Sequence, residues 1–93
     1  MTDTAVRIII EGAVQGVGYR AWAVREARRR GLRGWVRNRC DGSVEALLIG
    51  ATGDIETMIE ICRQGPRLAQ VKRIVSEAAA DDGVRQFHER PSV

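Results

Sequence analysis

The sequence has few of the side chains on which most catalytic and metal sites are built. Its 93 residues include two cysteines and one histidine, and aromatic residues make up 4% of the chain. Cys40, Cys62 and His88 lie far apart, which excludes the ligand spacing of a zinc site. A lone histidine near the C-terminus also argues against a Ser-His-Asp triad.

Long hydrophobic runs are missing as well. No apolar run approaches the roughly 18 residues that a membrane span requires. The N-terminal segment MTDTAVRIII carries an acid before its first base and lacks the apolar core of a secretory signal. We therefore expect a cytoplasmic protein without membrane contact, in which both cysteines are thiols rather than a disulfide.

Lysine is scarce, because fourteen of the fifteen basic residues are arginine and the formal net charge is +3. The densest basic cluster is REARRRGLRGWVRNR, residues 25–39. Such a cluster could attract phosphorylated metabolites or nucleic acid, or it could be a solvated helix face. We favour the solvated face, because exposed arginine needs no partner.

The length and the hydrophobic pattern together predict one small domain, residues 1–93, with six main elements. Val6, Ile8 and Ile10 alternate as in a strand, and Asp41-Gly42 is typical of a hairpin turn. The expected strands are residues 6–11, 32–38, 43–50 and 70–78, and the expected helices are residues 20–30 and about 55–64. Residues 84–89 are expected to form a short edge strand or an ordered tail.

The order strand, helix, strand, strand, helix, strand is the split βαβ pattern of an α+β ferredoxin-like sandwich. That fold has an antiparallel sheet with two helices on one face. Its topology places the first connection, Glu11 to Arg20, at the same sheet edge as Asn38, the end of the second strand. If the third strand separates the first two, the gap between these sites is about 10 Å.

The first connection, EGAVQGVGYR, has a composition that suits an anion. Gly16 and Gly18 allow positive φ, so that successive backbone N-H groups can form a concave nest at a helix N-terminus. The guanidinium of Arg20 matches phosphate oxygens. The alternative is a tight turn followed by a solvated arginine, and a glycine-rich loop alone favours that alternative.

Two long motifs in register resemble the acylphosphatase family. IEGAVQGVGYR, residues 10–20, is similar to the family's GxVQGVxFR loop, and GWVRNRCDGSVEALLIG, residues 34–50, resembles its GWVRNxxDGxVE segment. GPRLAQV, residues 65–71, is similar to the turn after the family's second helix. One departure is Tyr19, where the family more often has Phe; its hydroxyl needs a partner if it is buried.

The resemblance implies a hydrolase without metal or cofactor that cleaves the carboxyl-phosphate bond of acyl phosphates. It implies that Asn38 positions the attacking water and that a loop holds the phosphoryl group. Arg20, at the end of this loop, would also be a catalytic residue. The loop residues are Gln15, Gly16, Val17, Gly18, Tyr19 and Arg20. Inorganic phosphate would be the product and a competing ligand, and we expect a monomer.

The rest of the chain is expected to serve the fold. Trp35 should be buried, and the tail after Phe87 should be a frayed terminus.

Two other interpretations stay open. One is a ferredoxin-like RNA-binding or anion-binding module, although the chain lacks an aromatic-rich strand and we expect no nucleic acid. The other is a detached relative of the acylphosphatase-like domain of larger carbamoyl-transferring proteins.

Overall fold

The computed structural model describes residues 3–93 of the chain. It contains two helices and five strands within that range. The elements are β1 (Thr4–Ala13), α1 (Tyr19–Arg29), β2 (Arg33–Asn38), β3 (Val44–Gly50), α2 (Thr52–Gln64), β4 (Gln70–Ala78) and β5 (Phe87–Glu89).

The strands form one sheet in the order β4-β1-β3-β2-β5. The first four strands pair antiparallel, with β3 between β1 and β2. This order confirms the ferredoxin-like prediction and puts the end of β2 two strands away from the end of β1. The edge strand expected at residues 84–89 is present as β5, but its parallel pairing with β2, which makes the sheet mixed, was not predicted from the sequence.

The main core lies between the sheet and the two helices. Ile8 and Ile10 of β1 are fully buried there, as the alternation in the sequence predicts. Val36 meets them from β2, and Ala27 and Met58 pack from α1 and α2. No helix among residues 3–93 is long and apolar enough to cross a membrane.

The opposite face of the sheet carries a smaller apolar cluster around Trp35, which is buried as expected. Beside this cluster, Glu45 is 3% exposed, and its carboxylate accepts hydrogen bonds from Arg7 and Arg37. Burial by itself would raise the pKa of Glu45, but the hydrogen bonds from Arg37 and Arg7 outweigh burial and hold that pKa below its ordinary value.

The C-terminal tail is ordered, so the prediction of a frayed terminus was wrong. The N-H of Arg90 donates to the carbonyl of Val36, and the N-H of Val93 donates to the carbonyl of Asn38. The carbonyl of Val93 in turn accepts from the N-H of Cys40. The tail therefore continues along β2 and satisfies backbone groups that an edge strand would leave unpaired.

Candidate functional site

The loop between β1 and α1 has the backbone conformation that its glycines permit. Gly16 and Gly18 have φ angles of 74° and 78°, in the left-handed region. A Cβ at either position would meet no heavy atom within 4 Å, so the glycines are needed for conformation rather than for space. Gly18 also serves as the N-cap of α1, and no side chain of the described residues caps this helix end.

The loop contains a run of backbone N-H groups that donate no hydrogen bond within residues 3–93. Trp22 is the first residue of the helix whose N-H has a partner, the carbonyl of Gly18 at 3.1 Å. Within residues 3–93, none of the N-H groups of residues 15–21 donates a hydrogen bond. These amides lie at the positive end of the α1 dipole, which makes this part of the loop favourable for an anion.

A cavity of about 160 Å³ opens between this loop and the end of β2. It brings together Arg20 and Asn38, as the topology predicts. Its lining consists of Val14, Gly16, Gly18, Tyr19, Arg20, Ala21, Asn38 and Glu89.

Two residues of the predicted phosphate loop do not line the cavity. The side-chain amide of Gln15 donates to the carbonyls of Arg39 and Ser43, both at 2.8 Å, and so ties the loop to the β2–β3 hairpin. Val17 is half-buried and packs against the main core. Their side chains therefore fix the position of the loop.

Arg20 and Asn38 present polar groups that are free to bind a ligand. Within the described chain, the guanidinium of Arg20 donates no hydrogen bond and makes one ion pair, at 3.7 Å from Nε to Oε1 of Glu89. The side-chain amide of Asn38 likewise has no hydrogen-bond partner among residues 3–93, whereas its backbone carbonyl is held by Val93. The cavity thus combines a backbone held by hydrogen bonds with side-chain donors, on Arg20 and Asn38, that make no hydrogen bond among residues 3–93.

Glu89 is a cavity residue that sequence reasoning missed. It lies on β5, beside Val36 of β2, and its side chain is 46% exposed. The only signal was the prediction of an edge strand at residues 84–89, which did not say which strand it would pair with. The parallel pairing with β2 is what carries this carboxylate to Arg20.

Tyr19 anchors the end of the loop in the core. Its side chain is 2% exposed, and its hydroxyl donates to the carbonyl of Cys62 at 2.7 Å. That carbonyl belongs to the last turn of α2, where the residue four positions later is Pro66, which has no N-H. The phenol replaces the missing helical donor, and burial raises the pKa of Tyr19 well above its ordinary value.

The arginine-rich segment does not form a bare cationic surface. Within residues 3–93, every arginine from 25 to 39 except Arg25 contacts a carboxylate or a backbone carbonyl: Arg28, Arg29, Arg30, Arg33, Arg37 and Arg39. Arg33, for example, pairs with Asp81 at 2.5 Å. These internal contacts account for most of the cluster without a ligand.

A second cavity, of about 310 Å³, is lined by Glu11, Gly12, Asp41, Gly42 and Ser43. Hydrogen bonds from Ser43 hold the pKa of Asp41 below its ordinary value, so this carboxyl is charged at neutral pH. Two carboxylates, with no cation in the lining among residues 3–93, disfavour a phosphate there. No group of three or more His, Cys, Asp or Glu side chains within the described range could hold a metal ion.

Comparisons with known proteins agree with the motif pattern. A family model described as Acylphosphatase matches residues 6–89. A protein named acylphosphatase from Alcanivorax borkumensis is 53% identical over 87 residues, which cover 91% of this chain and 95% of that protein.

Solved structures give the same result. The acylphosphatase from Bacillus subtilis has a TM-score of 0.89 at 36% identity, covering 92% of this chain and 97% of that chain. HypF from T. kodakarensis, a much longer protein, has a TM-score of 0.83 at 36% identity, covering 94% of this chain and 12% of that chain. The family model and the relatives cover nearly all of the sequence, and the chain belongs to the acylphosphatase family.

Proposed function

We propose that this member of the acylphosphatase family hydrolyses its acyl phosphate substrate in the cavity between the glycine loop and Asn38. The products are a carboxylate and inorganic phosphate. The observation that carries the proposal is that Arg20 and Asn38 line one cavity, next to a loop whose backbone amides have no hydrogen-bond partner among residues 3–93.

The phosphoryl group binds to the loop and to Arg20. Backbone N-H groups of the loop, residues 15–20, donate to its oxygens, chiefly those of Gly16, Gly18, Tyr19 and Arg20, which line the cavity, and the guanidinium donates two parallel hydrogen bonds. As the bond to the leaving carboxylate breaks, negative charge on these oxygens is stabilised by donors that are already oriented. Positioning and charge stabilisation supply most of the catalysis in phosphoryl transfer.

Asn38 positions the attacking water. Its side-chain carbonyl oxygen accepts a hydrogen bond from the water, and its NH₂ group contacts the phosphoryl group. Asn is a poor base, so the proton passes to a phosphoryl oxygen of the substrate itself. Val93 holds the backbone carbonyl of Asn38 at 3.0 Å, which limits movement of this residue.

The reaction needs no metal and no cofactor, because the leaving group is good. A carboxylate leaves with a conjugate-acid pKa of about 4 and needs no general acid. Arg20 and the amides carry out the charge neutralisation for which many phosphoryl-transfer enzymes use Mg²⁺.

The setting of the enzyme is part of the same proposal. The chain acts as a single domain, since the family model spans residues 6–89, and we expect it to be a monomer in the cytoplasm. Inorganic phosphate inhibits as a competing ligand. Sedimentation at a dimer's mass, or inhibition by phosphate that excess substrate does not relieve, would contradict these points.

The proposal is tested by Asn38→Ala with benzoyl phosphate as substrate. We expect kcat to fall by a factor of about 10² or more, the scale of losing one preorganised polar group, while the melting temperature stays near that of the wild type. Gln64→Ala, which removes an exposed amide at the end of α2, is the control and should retain full activity. An Asn38→Ala enzyme with near-normal turnover would refute the assigned role.

A further inference from the structure

Glu89 contributes a carboxylate to the lining of the cavity in which the phosphoryl group is proposed to bind. Among residues 3–93, Arg20 and Glu89 are the two charged side chains in the lining, and the other lining residues are neutral. The Nε–Oε1 distance of 3.7 Å is an ion-pair distance but is longer than a hydrogen bond. The two side chains are 35% and 46% exposed, so the pair lies at the mouth of the cavity.

This arrangement leaves the occupied cavity with no spare positive charge. When a phosphoryl group binds to Arg20, the guanidinium faces one anion from the ligand and one from Glu89. Within residues 3–93, Glu89 forms no other ion pair, so no second cation neutralises its carboxylate. A further negative charge on the ligand would meet Glu89 within the Debye length of roughly 8 to 10 Å, where repulsion is only partly screened.

We infer that Glu89 determines substrate specificity by charge. Acyl phosphates whose acyl group is neutral or positively charged are preferred over those whose acyl group carries a carboxylate or a second phosphate. This inference rests on the proposed function, because it assumes that the phosphoryl group binds to Arg20. The acyl group is joined to that phosphorus through one bridging oxygen, so it lies near the same cavity mouth.

Two aromatic substrates of similar shape test the inference: benzoyl phosphate and 4-carboxybenzoyl phosphate, which differ by one charge remote from the reacting bond. We expect the wild type to have a higher kcat/KM for benzoyl phosphate. In Glu89→Gln, the ratio of kcat/KM for benzoyl phosphate to kcat/KM for 4-carboxybenzoyl phosphate should fall by about three- to tenfold. This is the size of a like-charge repulsion across several ångströms at a protein surface. High salt should reduce the wild-type ratio in the same direction.

The control is Glu60→Gln, which removes the same charge from an exposed position on α2 where the partner is Arg63. It should leave the substrate ratio unchanged. In addition, inorganic phosphate should bind more tightly to Glu89→Gln than to the wild type, by calorimetry, because one repelling charge has been removed.

Three results would overturn the inference. An unchanged ratio in Glu89→Gln would show that Glu89 does not sense the acyl charge. An equal loss of kcat with both substrates in Glu89→Gln would show that Glu89 instead holds Arg20 in position. Recovery of that kcat in Glu89→Asp would show the same. If the wild type hydrolysed neither substrate, the proposed function would fail, and this inference with it; turnover with an unchanged ratio would refute the inference alone.

Discussion

Replacement of Arg20 should lower activity strongly while changing stability little. The guanidinium makes one half-exposed ion pair with Glu89, at 3.7 Å, and pairs of this kind contribute about 0 to 1 kcal/mol to stability. Arg20 also lies in the first turn of α1, where a positive charge opposes the helix dipole by about 0.3 to 1 kcal/mol. These two effects offset each other, so Arg20→Ala should change the free energy of unfolding by less than about 1 kcal/mol.

The effect on function should be much larger. A hydrogen bond from a charged donor contributes about 1.5 to 3 kcal/mol, and Arg20 supplies two in the proposed complex. Loss of both corresponds to a fall in kcat/KM of about 10² to 10⁴ for Arg20→Ala. Arg20→Lys keeps the charge but not the two parallel bonds, so its activity should lie between those of Arg20→Ala and the wild type.

The assay combines thermal unfolding with steady-state hydrolysis of benzoyl phosphate and calorimetric binding of inorganic phosphate. We expect a nearly unchanged melting temperature together with weak phosphate binding and low kcat/KM. Arg63→Ala is the matched control, because it removes an exposed arginine that pairs with Glu60 on α2, and it should retain full activity. Arg20→Ala with kcat/KM within fivefold of the wild type would refute the reasoning.

Two further predictions concern stability. Glu45→Gln removes the buried carboxylate between Arg7 and Arg37 and should lower the free energy of unfolding at pH 7 by about 2 to 4 kcal/mol in urea titrations. Because the folded-state pKa of Glu45 is depressed, its contribution is present above the ordinary pKa of 4.5 and is lost as the pH falls through the folded-state value. The difference between variant and wild type should therefore shrink in acid; a pH-independent difference would contradict the ion pairs. Tyr19→Phe removes the hydroxyl that donates to the carbonyl of Cys62 and should cost about 1 to 2 kcal/mol with kcat nearly unchanged, and an equally stable variant would show that this carbonyl needs no donor.

Local patterns predicted the parts of the fold that local chemistry determines. The alternation of Val6, Ile8 and Ile10 identified β1, and Asp41-Gly42 identified the β2–β3 hairpin, because both depend on neighbouring residues only. The meeting of Arg20 and Asn38 at one sheet edge followed from the chain topology. The two strand ends are at the same edge in any ferredoxin-like fold.

The features that escaped prediction depend on contacts between distant segments. Glu89 reaches the cavity because β5 pairs parallel with β2, and the sequence predicted an edge strand here without indicating its partner. The tail residue Val93 binds the backbone of Asn38 and Cys40, and its sequence neighbours give no sign of this. Likewise, the pairing of Arg33 with Asp81 joins residues 48 positions apart.

The most direct test of the central claim is hydrolysis of benzoyl phosphate by the purified protein in the presence of excess chelator. The account predicts full turnover that inorganic phosphate inhibits competitively, because Arg20 and the loop amides, rather than a metal ion, hold the phosphoryl group. Absence of turnover, or turnover that is lost with the chelator and restored by added Mg²⁺, would contradict it.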